Sequence, residues 1–372
     1  MKILITGNMG YVGPGVVRQL RAAWPDAVLV GVDTGFFAHC LTGAAHLPEA
    51  ALDVQHFCDV RHLPESMLDG VDAIVHLAAI SNDPMGKLFE DVTLDVNFRA
   101  SVRLAELAKN AGVRAFVFAS SCSVYGFADD RPRTESSSVN PLTAYARSKI
   151  FTEEAVEKLA SDSFQVTCLR FATACGMSDR LRLDLVLNDF VAAACASRDI
   201  TILSDGTPWR PLINVLDMAR AIEWALSRTS KSGGNFLVVN AGSDSWNYRV
   251  RDLAEAVASV VPGTKVSINA SAPPDKRSYC VDFSLFRRLA PKHQPQFDLV
   301  STVRYLQQGL ESMHFSDAQF RSSWMMRLNV LKELSSKGLL DGDLFWKPRT
   351  SLQPEEVSAG DSLLSLTNAA SS

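Results

Sequence analysis

Lys2-Ile3-Leu4-Ile5-Thr6-Gly7-Asn8-Met9-Gly10-Tyr11-Val12-Gly13 is the stretch that decides the fold. A short β-prone run ends at a glycine, and Gly7, Gly10 and Gly13 follow one another at intervals of three. From Tyr11 to Trp24 the pattern turns helical, with Val12, Val16, Val17 and Leu20 near one face. A strand that turns through glycines into a helix can grip a pyrophosphate with backbone alone. Gly7 permits the tight turn, Gly10 lets the main chain approach the phosphates, and Gly13 lets the helix pack closely on the sheet. The helix N-terminus adds unpaired N–H groups and partial positive charge.

The second apolar strand, Ala27–Val32, runs into Asp33. An acid about 20 residues past the last glycine accepts hydrogen bonds from the adenosine ribose hydroxyls. It also repels a 2′-phosphate, and no arginine follows nearby to offset it, so NAD is favoured over NADP. Val71–Leu77, Ala115–Ser120 and Gln165–Phe171 read as further buried strands, with helices at Val92–Asn110 and Ala144–Ser161. This alternation implies a doubly wound parallel sheet of Rossmann type, covered on both faces.

Beyond residue 172 the pattern loosens. Leu183–Ala196, Val215–Ser227, Tyr248–Val261 and Val300–Met313 read as helices, Gly233–Asn240 as a strand, and Ser271–Asp275 as a Pro-rich connection. Asn329–Leu340 reads as a helix outside the main unit, and from Ser351 a Ser- and Ala-rich tail is expected to be poorly ordered. The predicted organisation is a dinucleotide-binding domain over 1–170 and a smaller, discontinuous α/β substrate domain over 171–312, with segments returning to the first. A partly helical C-terminal extension covers 313–372.

Composition narrows the class. Of 372 residues, 47% are hydrophobic and 21% charged, and the net charge is −4. That balance allows a large core and gives no bulk positive charge for nucleic acid. The first apolar run stops at Thr6-Gly7, unlike a secretory signal, and no apolar stretch of about 18 residues suggests a membrane span. The seven cysteines are scattered without a CxxC pair, which fits reduced thiols in a cytoplasmic protein and no metal site.

Two segments carry candidate chemistry. In Tyr145-Ala146-Arg147-Ser148-Lys149, helical spacing makes phenol and ammonium neighbours. The lysine charge favours phenolate, so Tyr145 can exchange a proton with a sugar hydroxyl or carbonyl. Phe118-Ala119-Ser120-Ser121-Cys122-Ser123-Val124-Tyr125-Gly126 ends a strand where open α/β sheets place ligands. A hydroxyl there could share the substrate oxygen. Cys122 and Cys175 lie near the predicted site, where a thiol of lowered pKa could act as acid or base; the plainer reading is a small buried hydrophobe.

Taken in order, TGxxGxxG, Asp33, Cys58-Asp59-Val60, His76-Leu77-Ala78-Ala79, Asp95-Val96-Asn97, SSxSVYG and YxxxK resemble the extended short-chain dehydrogenase/reductases over roughly residues 1–310. That group holds nucleotide-sugar epimerases, dehydratases and reductases. The resemblance implies that Gly7, Met9, Gly10, Tyr11, Val12 and Gly13 line the pyrophosphate, Asp33 holds the ribose, and Asp59 and Val60 meet the adenine. Leu77, Ala78 and Ala79 would pass the middle of the cofactor, and Asn97 would serve structurally. Ser121, with Ser123 as the fallback, supplies the catalytic hydroxyl beside Tyr145, and Lys149 also holds the nicotinamide ribose. Arg210 and Arg277 would meet the substrate diphosphate, and Thr173 takes the place of an asparagine the family often uses. Ser81, Asn82 and Asp83, like the Arg180/Arg182 pair, could touch sugar or phosphate, or form a turn and a solvated face respectively. Asn214 replaces the family's usual histidine. No acid stands beside Ser121 where 4,6-dehydratases carry a Thr-Asp-Glu triplet. The implied activity is an NAD-dependent nucleotide-sugar epimerase, with a nucleotide 4-keto-sugar reductase or a non-catalytic dinucleotide-binding protein as rivals. The implied assembly is a homodimer.

Overall fold

The computed structural model describes residues 1–81, 83–127, 131–269 and 278–348. Six of the seven strands of its main sheet are β1 (Lys2–Thr6), β2 (Val28–Asp33), β3 (Val54–Phe57), β4 (Ala73–His76), β5 (Ala115–Ser121) and β6 (Gln165–Phe171). Two short strands, β7 (Thr173–Cys175) and β8 (Asp199–Ile202), then lead to β9 (Trp209–Asn214), β10 (Phe236–Ala241), β11 (Asn247–Arg249) and β12 (Lys265–Ile268). The seven-stranded sheet runs β10-β6-β5-β4-β1-β2-β3, and every neighbouring pair in it is parallel.

Both faces of the sheet are buried, which is why its central strands read as apolar runs rather than alternating ones. Along β1, Ile3 and Ile5 enter the core on one face, with Val16, Val17 and Leu20 of the first helix. Leu4 enters the other, with Ile74, Leu104 and Phe116. The chain steps outward from β1 to β2 and β3, then returns to lay β4 on the other side of β1. That reversal opens a crevice beyond the carboxyl ends of the strands, where such sheets bind ligands.

A smaller lobe packs above the crevice. It holds the three-stranded sheet β11-β9-β7 and the parallel pair β12-β8. Its core gathers Leu187, Val191, Leu253, Val257, Val303 and Leu306 from three helices. The helix expected over Val92–Asn110 is divided into Glu90–Leu94, a π-turn at Asp95–Arg99, and Ala100–Asn110.

The helix expected at Asn329–Leu340 runs over Arg327–Ser336 and is not outside the main unit. Leu331, Leu340 and Leu344 pack with Ile80, Met85 and Val92, because an apolar helix face must be covered. The tail from Ser351 lies outside the described residues. Among the described residues, no helix is long and apolar enough to cross a membrane, and no group of side chains could hold a metal ion.

Candidate active site

The glycine turn is sterically compulsory. Gly7 has φ +74, and a Cβ there would stand 2.5 Å from the Ala78 nitrogen. At Gly13 a Cβ would come within 1.9 Å of the Asn8 carbonyl oxygen. Gly10 differs: its Cβ would meet only the Gly7 carbonyl, 3.2 Å away, and the residue lines the open groove. The helix beginning at Gly13 has no side-chain cap and no acid in its first turn, so its N–H groups remain available to an anion. The Tyr11 side chain is buried, and the residue lines the cavity. Its hydroxyl donates to the Gly176 carbonyl at 2.5 Å and accepts from the Asn188 amide at 3.1 Å, pinning the turn to the smaller lobe. Burial pushes that phenol's pKa up.

At the end of β2, Asp33 accepts from the Met9 N–H at 3.0 Å and the Gly35 N–H at 2.8 Å. Each oxygen keeps a lone pair for a ribose hydroxyl. Two arginines lie in this region: Arg180, which acts on Asp33 through space, and Arg61, which lines the same cavity. Neither is free for a 2′-phosphate. Asp59 pairs with Arg61 at 2.7 Å, and Glu49 pairs with Arg180 at 2.6 Å. The residues present therefore fit NAD, whose ribose lacks that phosphate.

Tyr145, Lys149 and Ser121, the groups expected to handle the proton, line one cavity where β5 ends. Thr143 caps the helix Ala144–Glu157, accepting from the Ala146 N–H at 3.2 Å. Tyr145 and Lys149 project from the same helix into the cavity. The Lys149 ammonium donates to the Ala119 carbonyl at 2.7 Å and lies 4.7 Å from the Phe118 ring centre and 5.4 Å from that of Tyr145. Burial lowers its pKa to about 8. Ser121 lines the same cavity and accepts from the Ser123 N–H at 3.2 Å. The Ser123 hydroxyl, also on the wall, is buried without a hydrogen-bond partner. Asn97 is structural, as expected: its amide bonds both the N–H and the carbonyl of Ile80, at 2.8 and 3.0 Å. The cysteines are not acid–base candidates. Cys122 and Cys175 are fully buried, donate to the carbonyls of Arg170 and Ile213, and have pKa values raised by burial.

Behind the helix that carries Tyr145 and Lys149 lies a buried ion pair that the sequence reading missed. Arg170 and Glu153 meet at 2.6 Å, with side chains 8% and 5% exposed. Ser120 donates to Glu153, and Arg170 donates to the Tyr125 hydroxyl at 3.1 Å. Spacing alone could have suggested it, since Tyr145, Lys149 and Glu153 fall on one helix face.

One cavity of about 1020 Å3 joins these parts. Asp33, Asp59, Val60, Leu77, Ala78 and Ala79, expected at the cofactor, all line it, and so do Ser81, Thr173 and Arg210. Met9 and Gly13 serve from behind: Met9 through its bond to Asp33, Gly13 through helix packing. Asn82 and Arg277 lie outside the described residues, as does the Pro-rich connection Ser271–Asp275. Of the two readings open for Arg180 and Arg182, the solvated face is ruled out, since both are buried. Arg182 is 5% exposed, pairs with Asp184 at 2.6 Å, donates to Ser81 at 2.8 Å, and lies within electrostatic reach of Tyr145. The sequence reading also missed Arg321, which lines the cavity and pairs with Asp189 at 2.7 Å.

Comparison with known proteins agrees with this construction. The profile of the NAD dependent epimerase/dehydratase family matches residues 3–242. A UDP-glucose 4-epimerase of Streptomyces lividans is 27% identical over 272 residues, covering 70% of this chain and 80% of that protein. An uncharacterized UDP-glucose epimerase of Bacillus subtilis is 30% identical over 237 residues, 61% and 73% of the two chains. The solved structure of MoeE5 with UDP-glucuronic acid and NAD superposes with a TM-score of 0.72 at 24% identity, over 84% of this chain and 99% of that one, a likeness of fold. With the dinucleotide turn, the strand-end acid and the matched profile in agreement, the chain belongs to the NAD dependent epimerase/dehydratase family.

Proposed function

We propose that the protein is an epimerase of a nucleotide-activated sugar that works through a transient keto-sugar. The observation that carries this reading is the convergence of Ser121, Tyr145 and Lys149 on the cavity that also holds the glycine turn and Asp33. UDP-glucose 4-epimerases among the relatives support it. When bound, NAD supplies a hydride acceptor and, in the return direction, a hydride donor.

The chain's own groups do the rest. Tyr145, as phenolate, takes the proton of the sugar hydroxyl that becomes the carbonyl, and gives it back when the hydroxyl re-forms. The Lys149 charge favours the phenolate. Ser121 donates a hydrogen bond to the reacting oxygen. Arg210 and Thr173 line the wall on which the nucleotide diphosphate and sugar are read. Arg182, held by Asp184 and bonded to Ser81, fixes the wall nearest Tyr145. Seven cysteines, none in a disulfide, support a cytoplasmic enzyme.

The test is incubation of purified protein with UDP-glucose, and separately with UDP-N-acetylglucosamine, without added cofactor. Chromatographic appearance of the epimer with no net NADH supports the reading. Conversion that occurs only with stoichiometric NAD(P)H identifies a reductase instead.

A further inference from the structure

The stretch from Phe320 to Trp346 lies beyond the part of the chain that matches the family, yet it reaches the cofactor end of the cavity, where Met326, Arg327, Leu331 and Leu344 form wall. Leu331 and Leu344, each 1% exposed, pack with Ile80 just beyond β4. Leu344 holds φ +59, a left-handed conformation rare for a branched side chain, and the chain is anchored on both sides of it. On one side, the Asp343 carbonyl accepts from Arg61 at 2.8 Å. On the other, the Phe345 ring lies 3.5 Å from the Arg61 guanidinium and stacks on His62 at 5.1 Å. The Trp346 indole donates to the Thr34 carbonyl at 2.7 Å and packs against Phe36 at 5.7 Å. The loops leaving β2, β3 and β4 are thus all tied to one C-terminal stretch.

We propose that residues 340–346 are a latch across the adenosine half of the NAD groove, which completes the site and must open before the dinucleotide leaves. Arg61 is the binding contribution. Asp59 fixes its edge and Phe345 its face, so the guanidinium presents a rigid planar surface to the cavity, suited to stacking on an adenine. The latch makes NAD a resident group. This inference rests on the epimerase reading in one respect: a cycle that returns its hydride gains from a cofactor that stays, whereas a reductase must exchange it every turnover.

The experiment uses the full-length protein loaded with NAD. Release is followed after dilution into an NAD-consuming trap, for the wild type and for the Phe345→Ala/Trp346→Ala double variant. Hydrogen exchange is followed in parallel over 340–346 and over β1 and β4. Loss of the ring–guanidinium contact and the indole hydrogen bond predicts release about tenfold faster or more, with the sheet still protected. NAD is expected to slow exchange over 340–346 in the wild type. Unchanged release from a variant with an intact sheet overturns the latch, and so does wild-type release faster than the opening of 340–346. Should the variant lose sheet protection, that wild-type comparison decides. The sugar assay separates the two readings: slow release without interconversion removes the epimerase and supports the latch, while interconversion with fast, latch-independent release removes the latch alone.

Discussion

Glu153→Gln tests how the catalytic helix is supported from behind. The substitution keeps shape and removes charge, leaving the Arg170 guanidinium buried without its carboxylate. Three bonds join the pair, at 2.6, 3.1 and 3.2 Å. Breaking a buried pair by removing one partner costs about 3–5 kcal/mol. The lower end applies here, because Arg170 keeps its bond to Tyr125 and glutamine keeps an acceptor for Ser120. At about 2–4 °C per kcal/mol, the melting transition falls by about 10 °C. A second readout comes from Lys149, one turn earlier. Burial lowers its pKa to about 8, and the Glu153 charge works against that fall. Without Glu153 the ammonium loses its proton at lower pH, so the alkaline limb of the pH–kcat profile moves towards acid. The sign for stability is opposite to that for activity. A depressed lysine pKa costs stability below about 8, where the buried group is charged in the folded state, and the cost is relieved as pH rises towards 10.5. Calorimetry and a pH series on one preparation give both numbers. A transition that moves by less than about 3 °C, or an alkaline limb that stays in place, refutes the reasoning.

Tyr145→Phe removes the proton-transfer group, and kcat should drop about 10²–10⁴-fold while the NAD content of the purified protein, read by absorbance after denaturation, stays that of the wild type. In Lys149→Arg the cation cannot titrate in the accessible range, so whatever activity survives should show no alkaline limb near pH 8, as a pH–rate series will show. Gly13→Ala forces a Cβ to within 1.9 Å of a backbone oxygen and should cost more than about 4 kcal/mol, enough to abolish soluble protein. Gly112→Ala, at φ +81 with nothing within 4 Å, should lower stability by only about 1–2 kcal/mol in a thermal melt.

The parts legible in the sequence are those whose physics is local. A glycine turn between a strand and a helix, and a carboxylate at a strand end, need no distant partner to be read. Tyr145 and Lys149 follow from helical spacing. What escaped depends on contacts across the chain. β7 holds three residues and pairs with β9, whose own sequence includes Pro211 and reads as a motif rather than a strand. Nothing in the sequence chooses between a solvated and a ligand-facing Arg180/Arg182 pair, and their burial depends on the distant Glu49 and on Asp184. The π-turn at Asp95–Arg99 adds a residue within an unbroken helical pattern. Arg61 stood beside the recognised Asp59, but its partner Phe345 is far along the chain.

The order of strands has a consequence for how selectivity can change. The cavity wall contributed before β6, from Gly7 to Lys149, carries the dinucleotide cradle and the phenol. Phe171, Thr173, Arg182 and Arg210, which line the same cavity, come later in the chain. Diversification confined to Thr173 and Arg210 would vary the wall proposed to read the sugar nucleotide while keeping the glycine turn, Asp33, Tyr145 and Lys149, so a laboratory seeking new sugars should randomise there first.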